Sequence, residues 1–144
     1  MYGKVIVVAA MIAAITTAGV AGPVDNASNA SQFEGVWSGQ WDSGQDVTIT
    51  IGQKNRTGAN KVTYEYGWTK FGSGAPVPPG SFVAYGRERD GVFTFGWKNK
   101  EGQKRIVTLK KFEGNENVAK ARFELVGSTT TIQKPYYDAM LKRK

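Results

Sequence analysis

The chain contains no cysteine and no histidine among its 144 residues. A Ser-His-Asp triad, a cysteine nucleophile and an ordinary zinc site are therefore excluded. Catalysis would have to use Asp, Glu, Lys or Tyr, and we expect no catalytic residue, no metal and no cofactor. Because no disulfide can form, an exported domain of this size must be held together by its hydrophobic core. No amphipathic helical pattern of normal length occurs either.

The first segment is typical of an export signal. A lysine near the start precedes an uninterrupted apolar run, VIVVAAMIAAITTAGV, and small residues follow at Gly19 and Ala21 with the spacing that a signal peptidase accepts. The alternative is a membrane anchor, but the run is short, rich in Ala and followed by the polar DNASNASQ. We predict a signal peptide at 1–21, a disordered leader at 22–32, and a secreted or periplasmic protein with no stable membrane insertion after cleavage.

Alternation of apolar and polar residues with period 2 dominates the rest of the chain, and short Gly- or Asn-containing links such as DSGQ and RDG favour hairpins between the alternating segments. We predict an all-β fold: eight antiparallel strands within 33–134, closed as an up-and-down barrel, with a two-sheet sandwich as the rival. The basic tail at 135–144 is expected to form a short helical turn on the barrel or to fray. The eight candidate strands are GVWSGQWD, DVTITI, KVTYEYGW, SFVAYGR, GVFTFGW, RIVTLKKF, NVAKARFELV and STTTIQ.

A Gly-x-Trp at the start of the first predicted strand, Gly35 and Trp37, resembles the calycins, the lipocalin and avidin group of small-ligand barrels. FGWKNKEG at 95–102 is similar to a Trp-Lys-Asn hairpin of avidin-like proteins. The chain carries Gly39 where avidin-like proteins have an Asn, and it lacks the lipocalin cysteines. The resemblance therefore implies a calycin-like architecture without implying biotin binding.

The seventeen Phe, Trp and Tyr residues are the richest chemical feature of the chain, and core packing explains most of them. In a meander, strands one, three and five all end at the same, second end of the barrel, and each ends on a tryptophan in phase with apolar neighbours. Trp37 begins strand one and is expected to plug the first end. We predict a ligand-binding mouth at the second end, covered by the 69–80 loop; the alternative is that these indoles simply fill that end. The predicted site residues are Trp41, Asp46, Tyr66, Trp68 and Trp97.

These patterns favour an exported, non-catalytic protein that holds a small molecule or a glycan at the aromatic mouth. The charge is uneven, with twelve Lys/Arg against five Asp/Glu from Lys98 to Lys144. This basic half favours an alternative, an inhibitor or adhesin with a protein partner, although a solvated set of edge lysines explains it too. A third hypothesis is a glycan-processing enzyme using Asp42 and Asp46, which flank one tight turn. No nucleic-acid partner is expected, because an exported protein seldom meets one.

If the chain is exported, cleavage of the signal peptide determines the first residue of the mature protein. When the full chain is expressed in a bacterial host, the exported protein should begin near Gly22, because the small residues before it fit the peptidase. Intact-mass analysis of the exported fraction measures this directly. A mass that retains Met1 would contradict the prediction.

Overall fold

A computed structural model describes residues 30–68, 76–127 and 135–144. The predicted signal peptide, most of the predicted leader, the STTTIQ segment and residues 69–75 of the long loop lie outside the described residues. Within the described ranges, no helix is long and apolar enough to span a membrane. Residues Ser31–Lys144 form one compact unit.

Eight strands form a closed antiparallel barrel, which confirms the predicted fold class. Each strand pairs with the next along the chain, and the eighth strand pairs with the first. At the hairpin between the fourth and fifth strands, Asp90 and Gly91 both have positive φ, of 52° and 77°, as a tight Asp-Gly hairpin turn requires. The strands are β1 Gly35–Gln40, β2 Asp46–Lys54, β3 Asn60–Tyr66, β4 Gly80–Arg89, β5 Val92–Lys98, β6 Lys104–Phe112, β7 Asn115–Val126 and β8 Tyr136–Arg143.

The eighth strand lies in the segment that the sequence assigned to a tail, so the expected helical turn or fraying at 135–144 is wrong. The physical reason is a short period-2 pattern, in which Ala139 and Leu141 are buried and the residue between them is exposed. Because Ala, Met and Leu are strong helix formers, local propensity hides this pattern. Tertiary pairing overrides the propensity, since β8 supplies the strand that covers the open edge of β1.

The barrel unit also begins earlier than predicted, because Ser31 and Gln32 are held by the barrel and do not belong to a disordered leader. The Glu88 carboxylate accepts hydrogen bonds from the Ser31 hydroxyl at 2.6 Å, the Gln32 backbone N–H at 3.1 Å and the Gln32 side-chain amide at 2.8 Å. Ser31 is buried. One β4 carboxylate therefore satisfies three donors and fixes the entry of the chain into β1.

Buried aromatic side chains close the first end of the barrel. Phe33 and Trp37 are fully buried, and the Trp37 indole N–H donates to the Phe33 carbonyl oxygen at 2.7 Å. The Phe33 ring centroid lies 5.9 Å from that of Phe93. The Arg143 guanidinium lies 4.6 Å from the Trp37 ring centroid, a cation–π distance. Gly35, with φ of 123°, has a backbone conformation that only glycine adopts readily.

Trp37 should be a structural residue. Trp37→Ala is expected to reduce the free energy of unfolding by about 3–5 kcal/mol, because it removes a fully buried indole and leaves a cavity. Urea unfolding measures the change. Trp68→Ala is the matched control: its side chain is 63% exposed, so the change should stay within about 0.5 kcal/mol. A loss below about 1 kcal/mol for Trp37→Ala would show that the plug does not hold the barrel together.

Candidate ligand-binding site at the second end

At the second end of the barrel, β1, β3, β5 and β7 finish and β2, β4, β6 and β8 begin. The opening of the barrel at this end is called the second mouth, or the mouth. A cavity of about 550 Å³ lies there. Val77 and Leu125 add aliphatic surface to it, and Gln45, Asn99 and Arg105 add polar groups. The remaining lining consists of six aromatic side chains, Tyr64, Tyr66, Phe82, Trp97, Phe123 and Tyr137.

The aromatic rings of the mouth form a continuous cluster. The Tyr64 ring stacks on Phe82 with centroids 5.1 Å apart, and it lies 5.4 Å from Trp97. Phe82 and Trp97 are 4.3 Å apart, and Trp97 continues to Phe123 at 5.7 Å. Phe123 then contacts Tyr137 at 6.2 Å. The rings pack against one another, and most of them remain only partly buried, so ring surface faces the cavity. The partly buried residues are Tyr66, Phe82, Trp97, Phe123 and Tyr137.

Trp41 and Tyr64 form a buried polar pair at the second end, where Tyr64 also lines the cavity. The Trp41 indole N–H donates to the Tyr64 hydroxyl oxygen at 2.9 Å, and both residues are buried. Burial raises the pKa of Tyr64 to about 12, against the opposing effect of the hydrogen bond from Trp41. A second cavity of about 50 Å³ adjoins Trp41 and shares Gln45, Phe123 and Tyr137 with the larger one. Trp41 therefore packs against the aromatic cluster of the mouth, with its ring centroid 5.9 Å from that of Phe123.

Gly80 positions Tyr66 over the mouth. The two residues are direct cross-strand partners between β3 and β4. The hydroxyl oxygen and ring of Tyr66 occupy the space in which a Cβ at position 80 would stand. Any larger residue would force the ring to move, so the glycine at the start of β4 fixes where this aromatic edge lies.

The structure brings two predicted site residues, Tyr66 and Trp97, into the lining of one cavity, and Trp41 lines the smaller cavity. Asp46 lies at the start of β2 with an exposed side chain, where its carboxylate accepts a hydrogen bond from the Gln40 amide at 3.1 Å. Trp68 lies two residues beyond the end of β3, is largely exposed and is not a lining residue of the cavity. The ligand-binding role of all five residues stays a prediction.

Sequence reasoning missed several lining residues. Phe82 lies near the start of β4, and Phe123 lies three residues before the end of β7, so the strand-direction argument that selected Trp97 could have found both. Tyr137 was missed because β8 was assigned to a tail. Arg105 stands directly opposite Trp97 in the register between β5 and β6, a relation that emerges only once the pairing is known.

The carboxylates of the enzyme hypothesis lie away from the aromatic cavity. Asp42 borders a groove on the outer wall that includes Gln40, Arg122 and Asp138, and its backbone N–H donates to the Asp138 carbonyl oxygen at 2.9 Å. The Asp46 carboxylate is bonded to the Gln40 amide. Among the described residues, no group of three or more acidic side chains is arranged to hold a metal ion.

Comparison with known proteins identifies no family. No protein-family model matches the chain, and no curated protein matches it. Among solved structures, the chain is similar to a de novo designed fluorescence-activating β-barrel, with a TM-score of 0.49 and 12% sequence identity. That match covers 78% of this chain and 94% of the designed chain. The fold assignment therefore stands on the strand pairing itself.

The raised pKa of Tyr64 predicts a loss of stability in alkali. The unfolded chain releases this proton near the ordinary tyrosine pKa of about 10, whereas the folded chain retains it to about 12. The free energy of unfolding should therefore fall by about 2–3 kcal/mol as the pH rises from about 10 to about 12. Urea unfolding across this range measures the effect.

Tyr64→Phe is the control for that measurement. The variant should be less stable near neutral pH by about 1–3 kcal/mol, because the buried Trp41 N–H loses its acceptor. Its stability should also depend less on alkaline pH than that of the unchanged chain, since it lacks the hydroxyl whose pKa burial raises. Equal pH dependence in the two proteins would show that Tyr64 ionises normally.

Proposed function

We propose that the protein is an exported, non-catalytic barrel that binds a small molecule or a single sugar ring at its second mouth. The observation that carries this proposal is the asymmetry of the two ends. Phe33 and Trp37 are fully buried at the first end, whereas five of the six aromatic residues around the cavity of about 550 Å³ at the second end are only partly buried. Rings that stay partly exposed around a cavity can contact a ligand.

The size and lining of the cavity support a compact ligand. Small-molecule pockets typically enclose about 300–1,000 Å³ and combine apolar walls with a few polar groups. The mouth has that composition, with Gln45, Asn99 and Arg105 placed among aromatic rings. Phe82 and Trp97 offer partly buried rings on which a flat molecule or the apolar face of a sugar could stack.

The calycin resemblance supports the same proposal. Gly35 and Trp37 carry the Gly-x-Trp pattern, and they lie at the start of β1 in a closed eight-stranded barrel, the architecture that the resemblance implies. Calycin membership is part of the proposal, as is export from the cell. Both would place this chain among barrels that carry compact ligands outside the cytoplasm.

A second candidate function, binding of an acidic protein partner, is favoured by one feature of the outer wall. Lys110 and Lys120 are direct cross-strand partners on β6 and β7, an arrangement of like charges that destabilises a sheet. Both border an outer groove of about 540 Å³. An acidic partner bound there would relieve the repulsion, and such binding would be independent of the mouth.

Replacement of Trp97 tests whether the second mouth binds a ligand. Titration of the full chain with flat aromatic molecules and monosaccharides, followed by tryptophan fluorescence, should reveal a ligand whose affinity falls about tenfold or more in Trp97→Ala. The reason is that stacking on an aromatic side chain contributes about 1–3 kcal/mol in comparable sites, and about 1.4 kcal/mol corresponds to tenfold.

Tyr85→Ala is the matched control, because Tyr85 is an aromatic residue of the barrel with a 60% exposed side chain on the outer wall of β4. Its loss should leave the affinity unchanged. Equal weakening by both substitutions, or no response to any molecule of the panel, would overturn binding at the mouth.

A further inference from the structure

The mouth carries one charged group among its described lining residues, the guanidinium of Arg105. In the sheet register Arg105 stands directly opposite Trp97 on β5 and Leu125 on β7, and both of these neighbours line the cavity. The side chain of Arg105 is partly buried. A positive charge is therefore held in the wall of an aromatic cavity, next to the indole most suited to stacking.

Neutral amides hold this guanidinium in place. Arg105 Nη2 donates to Gln103 Oε1 at 3.0 Å, and the same oxygen accepts from the Asn99 side-chain amide at 3.1 Å. Asn99 Oδ1 in turn accepts from the backbone N–H groups of Gln103, at 2.8 Å, and Glu101, at 3.1 Å. The β5–β6 turn thus orients the arginine through hydrogen bonds to neutral groups, which do not neutralise its positive charge.

No carboxylate of the described residues lies within ion-pair distance of Arg105. Arg122 on the outer wall provides the contrast, because it pairs with both oxygens of Asp138 at 2.7 and 3.1 Å while remaining exposed. Other cations of the described residues also lack an ion pair, but Arg105 is the one that lines the cavity.

We propose that the ligand of the second mouth is a flat aromatic molecule that carries a carboxylate, with its ring among Phe82 and Trp97 and its carboxylate on Arg105. The proposal rests on the proposed function and adds the charge and shape of the ligand. A planar guanidinium matches a planar carboxylate in geometry, and charge-assisted hydrogen bonds strengthen in a site shielded from water. The amide-bound Nη2 fixes the arginine, which leaves its other N–H groups for the ligand.

The test compares three probes that share one ring system and differ in charge. Naphthoate carries a carboxylate, naphthamide is neutral and naphthylmethylammonium is cationic. Binding of each to the full chain is measured by tryptophan fluorescence. Naphthoate should bind about tenfold tighter than naphthamide or better, as a hydrogen bond to a charged group allows, and the cation should bind weakest.

Arg105→Gln should abolish most of the preference for naphthoate and leave the affinity for naphthamide within about twofold, because the ring contacts remain. Arg122→Gln removes an equal charge from the outer wall and should leave the preference intact. Thermal unfolding of each variant verifies that the barrel is folded.

Each other result has a distinct meaning. Equal affinity for naphthoate and naphthamide, or an equal loss of both in Arg105→Gln, would overturn the proposal while leaving a ligand-binding mouth. If a monosaccharide binds and none of the three naphthalene probes does, the proposed ligand class is wrong and the proposed function stands. If no probe and no monosaccharide changes the tryptophan fluorescence, the proposed function is wrong, and so is the proposed ligand class.

Discussion

The pairing of β8 with β1 is the constraint on which the rest of the structure depends, because it converts two open edges into a closed ring. Gly39 permits the approach of these strands: a Cβ there would lie 2.6 Å from the Met140 carbonyl oxygen and 2.9 Å from Leu141 Cδ2. Arg143 is the direct partner of Trp37 and stacks on its ring. The contact that closes the ring therefore also stabilises the plug at the first end.

The two ends use the same kind of residue for opposite purposes. At the first end, the indole N–H of Trp37 is satisfied by a carbonyl of the chain itself, and the rings are fully buried. At the second end, the indole N–H of Trp41 is likewise satisfied within the chain, by the Tyr64 hydroxyl oxygen, and both residues are buried. The other rings around the cavity are partly exposed. The aromatic residues of the two ends therefore differ in burial more than in residue type.

Period-2 alternation and turn chemistry were sufficient to predict the all-β barrel, because both signals are local. Strand direction then placed Tyr66 and Trp97 at one end, since it needs only the order of the strands. Sequence reasoning did not predict the β8 strand or the hydrogen bond between Ser31 and Glu88, because each depends on a partner distant in the chain. Arg105 was not predicted for a related reason: a lysine- and arginine-rich half predicts charge, but only the strand pairing shows which of these charges lies beside Trp97 in the cavity wall.

The hydrogen bond from the Lys144 backbone N–H to the Val36 carbonyl oxygen, at 2.9 Å, has a topological consequence. It keeps Lys144 beside the start of β1, at the end closed by Phe33 and Trp37, and the Arg143 guanidinium donates to the Gln32 carbonyl oxygen at 2.6 Å. The chain thus enters and leaves the barrel at one pole, opposite the cavity. Attachment of Lys144 to a surface would therefore orient every molecule with its cavity towards solution.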